Sequence, residues 1–279
     1  MTTGIYFSKY FIGKSWPIIG DRYRGYPEML SRLSSELGNI KIIEPKPVSE
    51  DLLLKVHTKE YIEYVKRQWF YEGARITVGG CIDACERVWM GEFNDAIVFL
   101  VAAGHHTHRD YGWGGTYLSC IGPSLIRLRE LGVKRVAYLD TDCHHGDGDR
   151  EILLNDDDVL HICFCGYGRT DSETKICVDV GFKTTNSEYL SKVEGVLPKI
   201  KSFNPQIIIH FFGHDTHKDD YGSKGLTEEF FIELARMMKD FALEVCDGKY
   251  VIIDGGGMNR RVGLYIWERI IRLLSSYSR

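Results

Sequence analysis

The chain predicts an α/β fold: a central, mainly parallel sheet flanked by helices. Three observations carry this. Several β-rich apolar runs, such as "DAIVFLVAAG" and "QIIIHFFG", show no polar alternation, as expected of strands covered on both faces. Stretches with apolar residues at helical spacing separate most of these runs, the pattern of strand–helix–strand units. Polar clusters rich in His, Asp and Gly follow directly after four of the runs, where open α/β sheets bind their ligands. A length of 279 residues with 44% hydrophobic content suffices for one large domain over 1–279.

In chain order, "GIYFSK" and "IKIIEP" read as strands. "SEDLLLKVHTKEYIEYVKRQ" reads as helix with Ser49 as its N-cap, because a serine oxygen can accept from a free backbone N–H of the first turn. "CIDACERVWMG" is the next helical stretch, with Cys81 and Cys85 on its core face. The strand "DAIVFLVAAG" leads to the helix "PSLIRLRELG", closed by Gly132 as a C′ glycine. Strands "KRVAYLD" and "DVLHICFCG", helix "SEYLSKVEGVLPKIKSF", strand "QIIIHFFG", helix "TEEFFIELARMMKDFALEVC" from Thr227, and strand "KYVIIDGGG" complete the series. No repeat, low-complexity tract or Pro/Gly-rich linker marks a boundary.

A formal charge of −4 without a Lys/Arg run argues against nucleic acid or an anionic membrane as partner and points to a small molecule or peptide. The eight cysteines show neither a CxxC pair nor a disulfide-framework spacing. The first residues lack the apolar core of a signal peptide, and no run approaches the roughly 20 apolar residues of a membrane span. The expectation is a soluble cytoplasmic chain.

The four clusters are "GHHTHRD" after IVFLVAA, "DTDCHHGDGD" after RVAYL, "GHDTHKDD" after IIIHFF and "DGGGM" after YVII. Asp140, Asp142 and His144 are spaced two apart, so in extended chain they project from one side. Asp142 and His144 can reach one ion, and Asp215 from another strand would be a third ligand, leaving a position open as in catalytic metal sites. Two carboxylates and an imidazole suit Zn²⁺, and would also take Fe²⁺, Co²⁺ or Mn²⁺. On spacing alone, a solvated loop or an N-cap is the lesser alternative for Asp142 and His144, and the other three clusters count against it. His105 and His106 follow a strand, and Asp140 and Asp147 are natural partners for their ring nitrogens. A histidine held by a carboxylate is oriented and made more basic, as a general base requires. Gly255 to Gly257 allow close backbone approach rather than phosphate binding. Tyr111 and Trp113, in "RDYGWGG", either line a substrate channel or pack their loop.

"YFSKY", "IIEPKPVSEDLLLKVHTKEYIEYVK", the tandem His105-His106, "GGTYLS", "YLDTDCHHGDGD", "NPQIIIHFFGHDT" with "DDYGSKGLT", and "DGGGMN" together resemble the histone deacetylase family, within the arginase/deacetylase superfamily, in its prokaryotic amidohydrolase form. The resemblance covers most of the chain, and D-x-D-x-HHGDG is its most specific segment. Arginases, with a D-x-H-x-D segment and two manganese ions, fit less well. The resemblance implies an arginase/deacetylase fold in which Asp142, His144 and Asp215 bind zinc. His106, hydrogen-bonded to Asp147, would be the proton shuttle, and His105, held by Asp140, its electrostatic neighbour. A structural K⁺ on Asp140, Asp142 and nearby carbonyls is implied as well, although Cys163 stands where a serine usually contributes. Water activated by the metal would attack an amide carbonyl, and His106 would deliver a proton to the leaving amine.

One position departs from the family pattern. The residue after the glycines is typically a tyrosine whose hydroxyl donates to the developing oxyanion. Here the substrate position formed with Gly257 carries Met258, and a thioether cannot donate. Losing one oxyanion donor commonly costs about 10²–10³ in rate. His214, His217, His108, Tyr111 and Tyr221 lie in the same loops and are candidate replacements. "WFYEGARIT" is too short for the loop whose aspartate grips the substrate backbone in many members. Three readings follow: a deacylase for acyl-lysine or a small acylated amine, a zinc-containing acyl-amine binding protein, or a hydrolase of another substrate class.

Overall fold

A computed structural model describes residues 2–14 and 22–277. Among these residues eight strands form one all-parallel sheet in the order β2-β1-β3-β8-β7-β4-β5-β6. They are β1 (Thr3–Tyr6), β2 (Ile40–Ile43), β3 (Asp95–Val98), β4 (Val136–Asp140), β5 (Val159–Cys165), β6 (Lys175–Asp179), β7 (Ile207–Phe212) and β8 (Tyr250–Asp254). The helices are α1 (Tyr26–Glu36), α2 (Glu50–Leu53), α3 (Lys59–Val65), α4 (Tyr71–Trp89), α5 (Ile121–Glu130), α6 (Asp147–Leu153), α7 (Asn186–Phe203), α8 (Glu228–Cys246) and α9 (Arg260–Ser276).

Strand residues alternate between two cores, which explains the unbroken apolar runs. Ile97, Leu139, Ile162, Ile208 and Ile252 face α1, α7, α8 and α9. Val98, Tyr138, Ile209 and Val251 face α3, α4 and α5. Every residue of β3, β4, β5, β7 and β8 is buried, whereas the edge strand β2 exposes Lys41 and Ile42. The strands that precede the four polar clusters are β3, β8, β7 and β4, which are consecutive in the sheet. Their carboxyl ends therefore deliver the clusters to one place.

Several elements differ from the expectation. The helix expected over "SEDLLLKVHTKEYIEYVKRQ" is two, because the Thr58 hydroxyl accepts from Tyr61 N–H and starts α3 anew. Ser49 and Thr227 are the N-cap residues of α2 and α8, but neither side chain accepts from its helix, and the Thr227 hydroxyl donates to Glu229 Oε2. The helix expected at Cys81 begins at Tyr71, so most of "WFYEGARIT" is its first turns. β3 ends at Val98; Phe99 N–H still donates to the Tyr6 carbonyl at 3.0 Å, and beyond it the backbone turns to side chains, Leu100 N–H donating to Tyr23 Oη at 3.0 Å and Val101 N–H to Thr77 Oγ1 at 2.9 Å. Gly132 has φ +85°, as a C′ glycine should. No helix among the described residues is long and apolar enough to cross a membrane.

Candidate active site

The two histidines after β3 pair with two different carboxylates. His105 Nδ1 lies 2.7 Å from Asp140 Oδ2, and His106 Nδ1 lies 2.7 Å from Asp147 Oδ1. Asp140 is the last residue of β4, while Asp147 opens α6, where the positive helix end favours a carboxylate. Gly146 lets the two elements meet, since a side chain there would collide with Asp140 Oδ2 and His105 Nδ1. Both rings are buried and keep Nε2 for the cavity side; His105 Nε2 stands 3.8 Å from Asp142 Oδ1. Burial, then the neighbouring His105, pushes His106 down to about 4, against the pull of Asp147. It is thus neutral at pH 7 and free to accept a proton.

Asp142, His144 and Asp215 converge below these rings, with Cys143 beside them. His144 Nδ1 is 3.1 Å from Asp142 Oδ1 and 3.6 Å from Asp215 Oδ2. Backbone N–H groups fix the carboxylates: Gly256 donates to Asp142 Oδ2 at 2.7 Å, His144 to Asp142 Oδ1 at 3.0 Å and Cys143 to Asp215 Oδ1 at 3.1 Å. Asp215 Oδ2 is buried with no hydrogen-bond partner among the described residues. The Asp142 carboxylate, hydrogen-bonded to the ring, and then the nearby Asp215 carboxylate raise His144 to about 10. Burial, then the charge of Asp142, raises Asp215 to about 6. Burial also pushes Asp142 up, but His105 and His144 outweigh it and hold that carboxyl well below its ordinary range. Two buried carboxylates sharing one protonated imidazole, with one oxygen left unsatisfied, are a donor set that fits a dication.

A cavity of about 320 Å³ opens over this cluster. His105, His106, Asp142 and His144 form its polar part; Leu100, Ala102, Phe211 and the Trp113 ring contribute apolar wall. Gly255 and Gly256 line it, but Gly257 and Met258 are not among its lining residues. Met258 is partly exposed, and its N–H donates to both Asp220 oxygens, at 3.1 and 3.0 Å.

Of the candidate replacement donors only Tyr221 lines the cavity. A Cβ on Gly256 would meet Asp142 Oδ2 at 2.5 Å, Tyr221 Oη at 2.6 Å and Asp215 Oδ2 at 2.7 Å, so the phenol oxygen borders the same gap as the two carboxylates. His214 is buried against Gly257, with Nδ1 3.6 Å from Asp254. His217 is buried 3.3 Å from Glu228. His108 pairs with Glu151 at 2.5 Å, and Tyr111 stacks on it.

Three residues hold the site together through bonds that no local sequence pattern assigns. Trp113 donates Nε1–H to Asp147 Oδ2 at 2.9 Å and lays its ring against His106, making it a second partner of the dyad. Asp220 accepts from Tyr221 N–H at 2.8 Å and from Met258 and Asn259, tying the two loops together. Arg22, fully buried, donates to the carbonyls of Gly255 at 2.7 Å and Gly257 at 3.0 Å and pairs with Asp254 at 3.2 Å. Asp147, Met258, Asn259 and the Gly255 carbonyl lie 34 to 233 positions from the residues that bond them and are reached only through the fold.

Residues 67–274, most of the chain, match the family model of the histone deacetylase domain. A probable deacetylase of Archaeoglobus fulgidus is 28% identical over 293 residues, covering 92% of this chain and 81% of that protein. A histone deacetylase-like amidohydrolase of Pseudomonas aeruginosa is 28% identical, covering 89% and 76%. The crystal structure of the HDA15 HD domain superposes with a TM-score of 0.88 over 98% of this chain and 89% of that one, at 21% identity, a likeness of fold. The paired histidines and the Asp–His–Asp cluster at the sheet's carboxyl end thus sit within a matching sequence and a matching fold, and the chain belongs to the histone deacetylase family of amide-bond hydrolases.

Proposed function

We propose that the protein is a zinc-dependent deacylase that hydrolyses an acylated amine, either an acyl-lysine or a small acylated amine, and that Tyr221 supplies the hydroxyl lacking at Met258. The observation that carries this reading is the cavity itself: His106, paired with Asp147, faces the Asp142–His144–Asp215 cluster across it, and the Tyr221 hydroxyl borders that cluster.

Family membership implies a divalent metal, and Asp142, His144 and Asp215 would hold it; the mixed carboxylate–imidazole set and the unpartnered Asp215 oxygen support zinc there. When bound, such an ion lowers the pKa of water and polarises a carbonyl oxygen. His106 takes the proton of the attacking water at Nε2, and Asp147 steadies the ring that becomes charged. His105, bonded to Asp140, keeps its own Nε2 turned toward the acidic cluster and adds to the field there. Tyr221 donates its O–H to the carbonyl oxygen as negative charge grows on it. The C–N bond breaks as His106 passes its proton to the amine, leaving a carboxylate and a free amine. The Leu100, Ala102, Phe211 and Trp113 walls exclude competing water. The structural K⁺ implied by the resemblance would have to rest mainly on backbone carbonyls, because Asp140 already bonds His105 and Asp142 N–H, and position 163 offers a thiol.

Zinc-loaded protein assayed on acetyl-lysine and trifluoroacetyl-lysine peptides and on a panel of small acetylated amines tests this. Turnover of an unactivated acetyl amide is expected. Tight binding of these amides with no hydrolysis of any would instead establish the acyl-amine binding protein.

A further inference from the structure

We infer that His145, Cys165 and Cys177 form a second metal site, built for a thiophilic dication such as Zn²⁺ and separate from the Asp142–His144–Asp215 cluster. Parallel pairing aligns Cys177 of β6 with Cys163 of β5, and Cys163 and Cys165, two apart in one strand, share a face. Three thiols from two strands thus line one side of the sheet at its carboxyl end. His145 reaches them from the loop after β4. Its Nδ1 is 3.4 Å from Cys165 Sγ and 3.6 Å from Cys177 Sγ.

These separations match tetrahedral zinc. With Zn–S near 2.3 Å and Zn–N near 2.0–2.1 Å, two ligands at the tetrahedral angle stand about 3.5 Å apart. A second observation is the covering loop. A Cβ on Gly168 would lie 2.5 Å from Cys177 Sγ, 2.6 Å from Cys165 Sγ and 2.6 Å from His145 Nδ1. The three donor atoms are therefore set about one small space that only glycine can cover. Cys163, two residues before Cys165 on β5 and in register with Cys177, adds a third sulfur to the same face, and its thiol lies 4.0 Å from the His144 carbonyl. Arg150 Nη2, 3.4 Å from Cys177 Sγ, is a partner for that sulfur from outside the ligand set, of the kind that orients metal ligands.

The site has a physical task. β6 is an edge strand held only by β5, and His145 directly follows His144. A metal here would fasten the edge strand, the glycine loop and the loop carrying His144 to one another. Soft thiolate ligands select Zn²⁺ or Cu⁺ over the hard ions that carboxylates prefer.

Replacement of the native metal by Co²⁺ in the intact protein is the test. Thiolate-to-cobalt charge-transfer absorption is expected in the wild type and in Cys143→Ser, which removes the thiol nearest the other cluster. It should vanish in Cys165→Ser/Cys177→Ser, and metal content should fall from about two equivalents per chain to about one. Asp215→Ala should keep the band while losing the other equivalent, so failure at one site is distinguishable from failure at the other. If the double variant does not fold, the wild-type and Cys143→Ser spectra decide alone. Absence of the band in both, or a Cys165–Cys177 disulfide found by mass spectrometry of the native protein, would overturn the inference.

Discussion

Replacing Tyr221 by Phe removes one oxygen from the cavity wall and little else. The ring still stacks beside His144, with centroids 5.9 Å apart, and the Tyr221 backbone stays fixed because its N–H bond to Asp220 does not involve the side chain. Fold and metal content should be kept. The lost atom borders the gap shared with Asp142 Oδ2 and Asp215 Oδ2, where negative charge on a substrate carbonyl would develop. One such donor is worth about 10²–10³ in rate, roughly 2.7–4 kcal/mol. Steady-state kcat on an acetyl amide should fall by about that factor with KM nearly unchanged, because the interaction is made only in the transition state. A hydrated trifluoromethyl ketone, which resembles that state, should bind correspondingly more weakly by calorimetry. The trifluoroacetyl amide should lose less. Asp220 holds residues 221 and 258 side by side, so Tyr221→Phe/Met258→Tyr should regain activity that Tyr221→Phe lacks. A metal-loaded Tyr221→Phe with wild-type kcat would refute the donor role, as would a Met258→Tyr single variant that gains about 10² on acetyl amides.

The other predictions concern ligands, base and support. Asp215→Ala should lose the active-site metal by elemental analysis, and metal removal from the wild type should lower the melting temperature, since a ligand of the native state alone stabilises it. His106→Ala should lower kcat on an unactivated amide with little change in substrate affinity, read from steady-state kinetics. His144, raised from 6.5 to about 10 in the metal-free fold, stabilises that fold fully below about pH 6.5 and loses the contribution as pH rises toward 10. The metal must displace that proton, so its affinity should climb with pH over the same window, with proton release visible by calorimetry in buffers of different ionisation enthalpy. Arg22→Ala strands Asp254 and two glycine carbonyls in the core, and denaturant unfolding should show a loss of about 3–5 kcal/mol.

Parts of this molecule were legible from the chain alone because they depend on local periodicity. Fully buried strands show as unbroken apolar runs, and their ends are marked by the polar clusters that follow. The two-residue spacing of Asp140, Asp142 and His144 reads as extended chain, but β4 ends at Asp140 and residues 142–144 bend, so the bend and not the strand repeat brings Asp142 and His144 together while Asp140 turns to His105. β6 was not legible, because "KICVD" is short, half-exposed and held only by β5. Nor was α6, which starts inside the Asp/Gly-rich cluster and reads locally as a loop. α1 and α9 carry apolar residues at helical spacing, but each begins beside glycines that blur its start. The residue types of the site, two histidines, surplus carboxylates and a methionine where a tyrosine is usual, are likewise properties of the chain. Which of them meet was decided by tertiary structure. The strand order makes β3, β8, β7 and β4 neighbours, and only that adjacency turns His214, His217 and His108 into supporting residues while leaving Tyr221 on the cavity. Arg22 reaches Gly255 across 233 positions and Asp220 reaches Met258 across 38, separations at which no local pattern can encode contact. Periodicity fixes the direction in which a side chain points from its own strand; what it meets is set by the packing of distant segments.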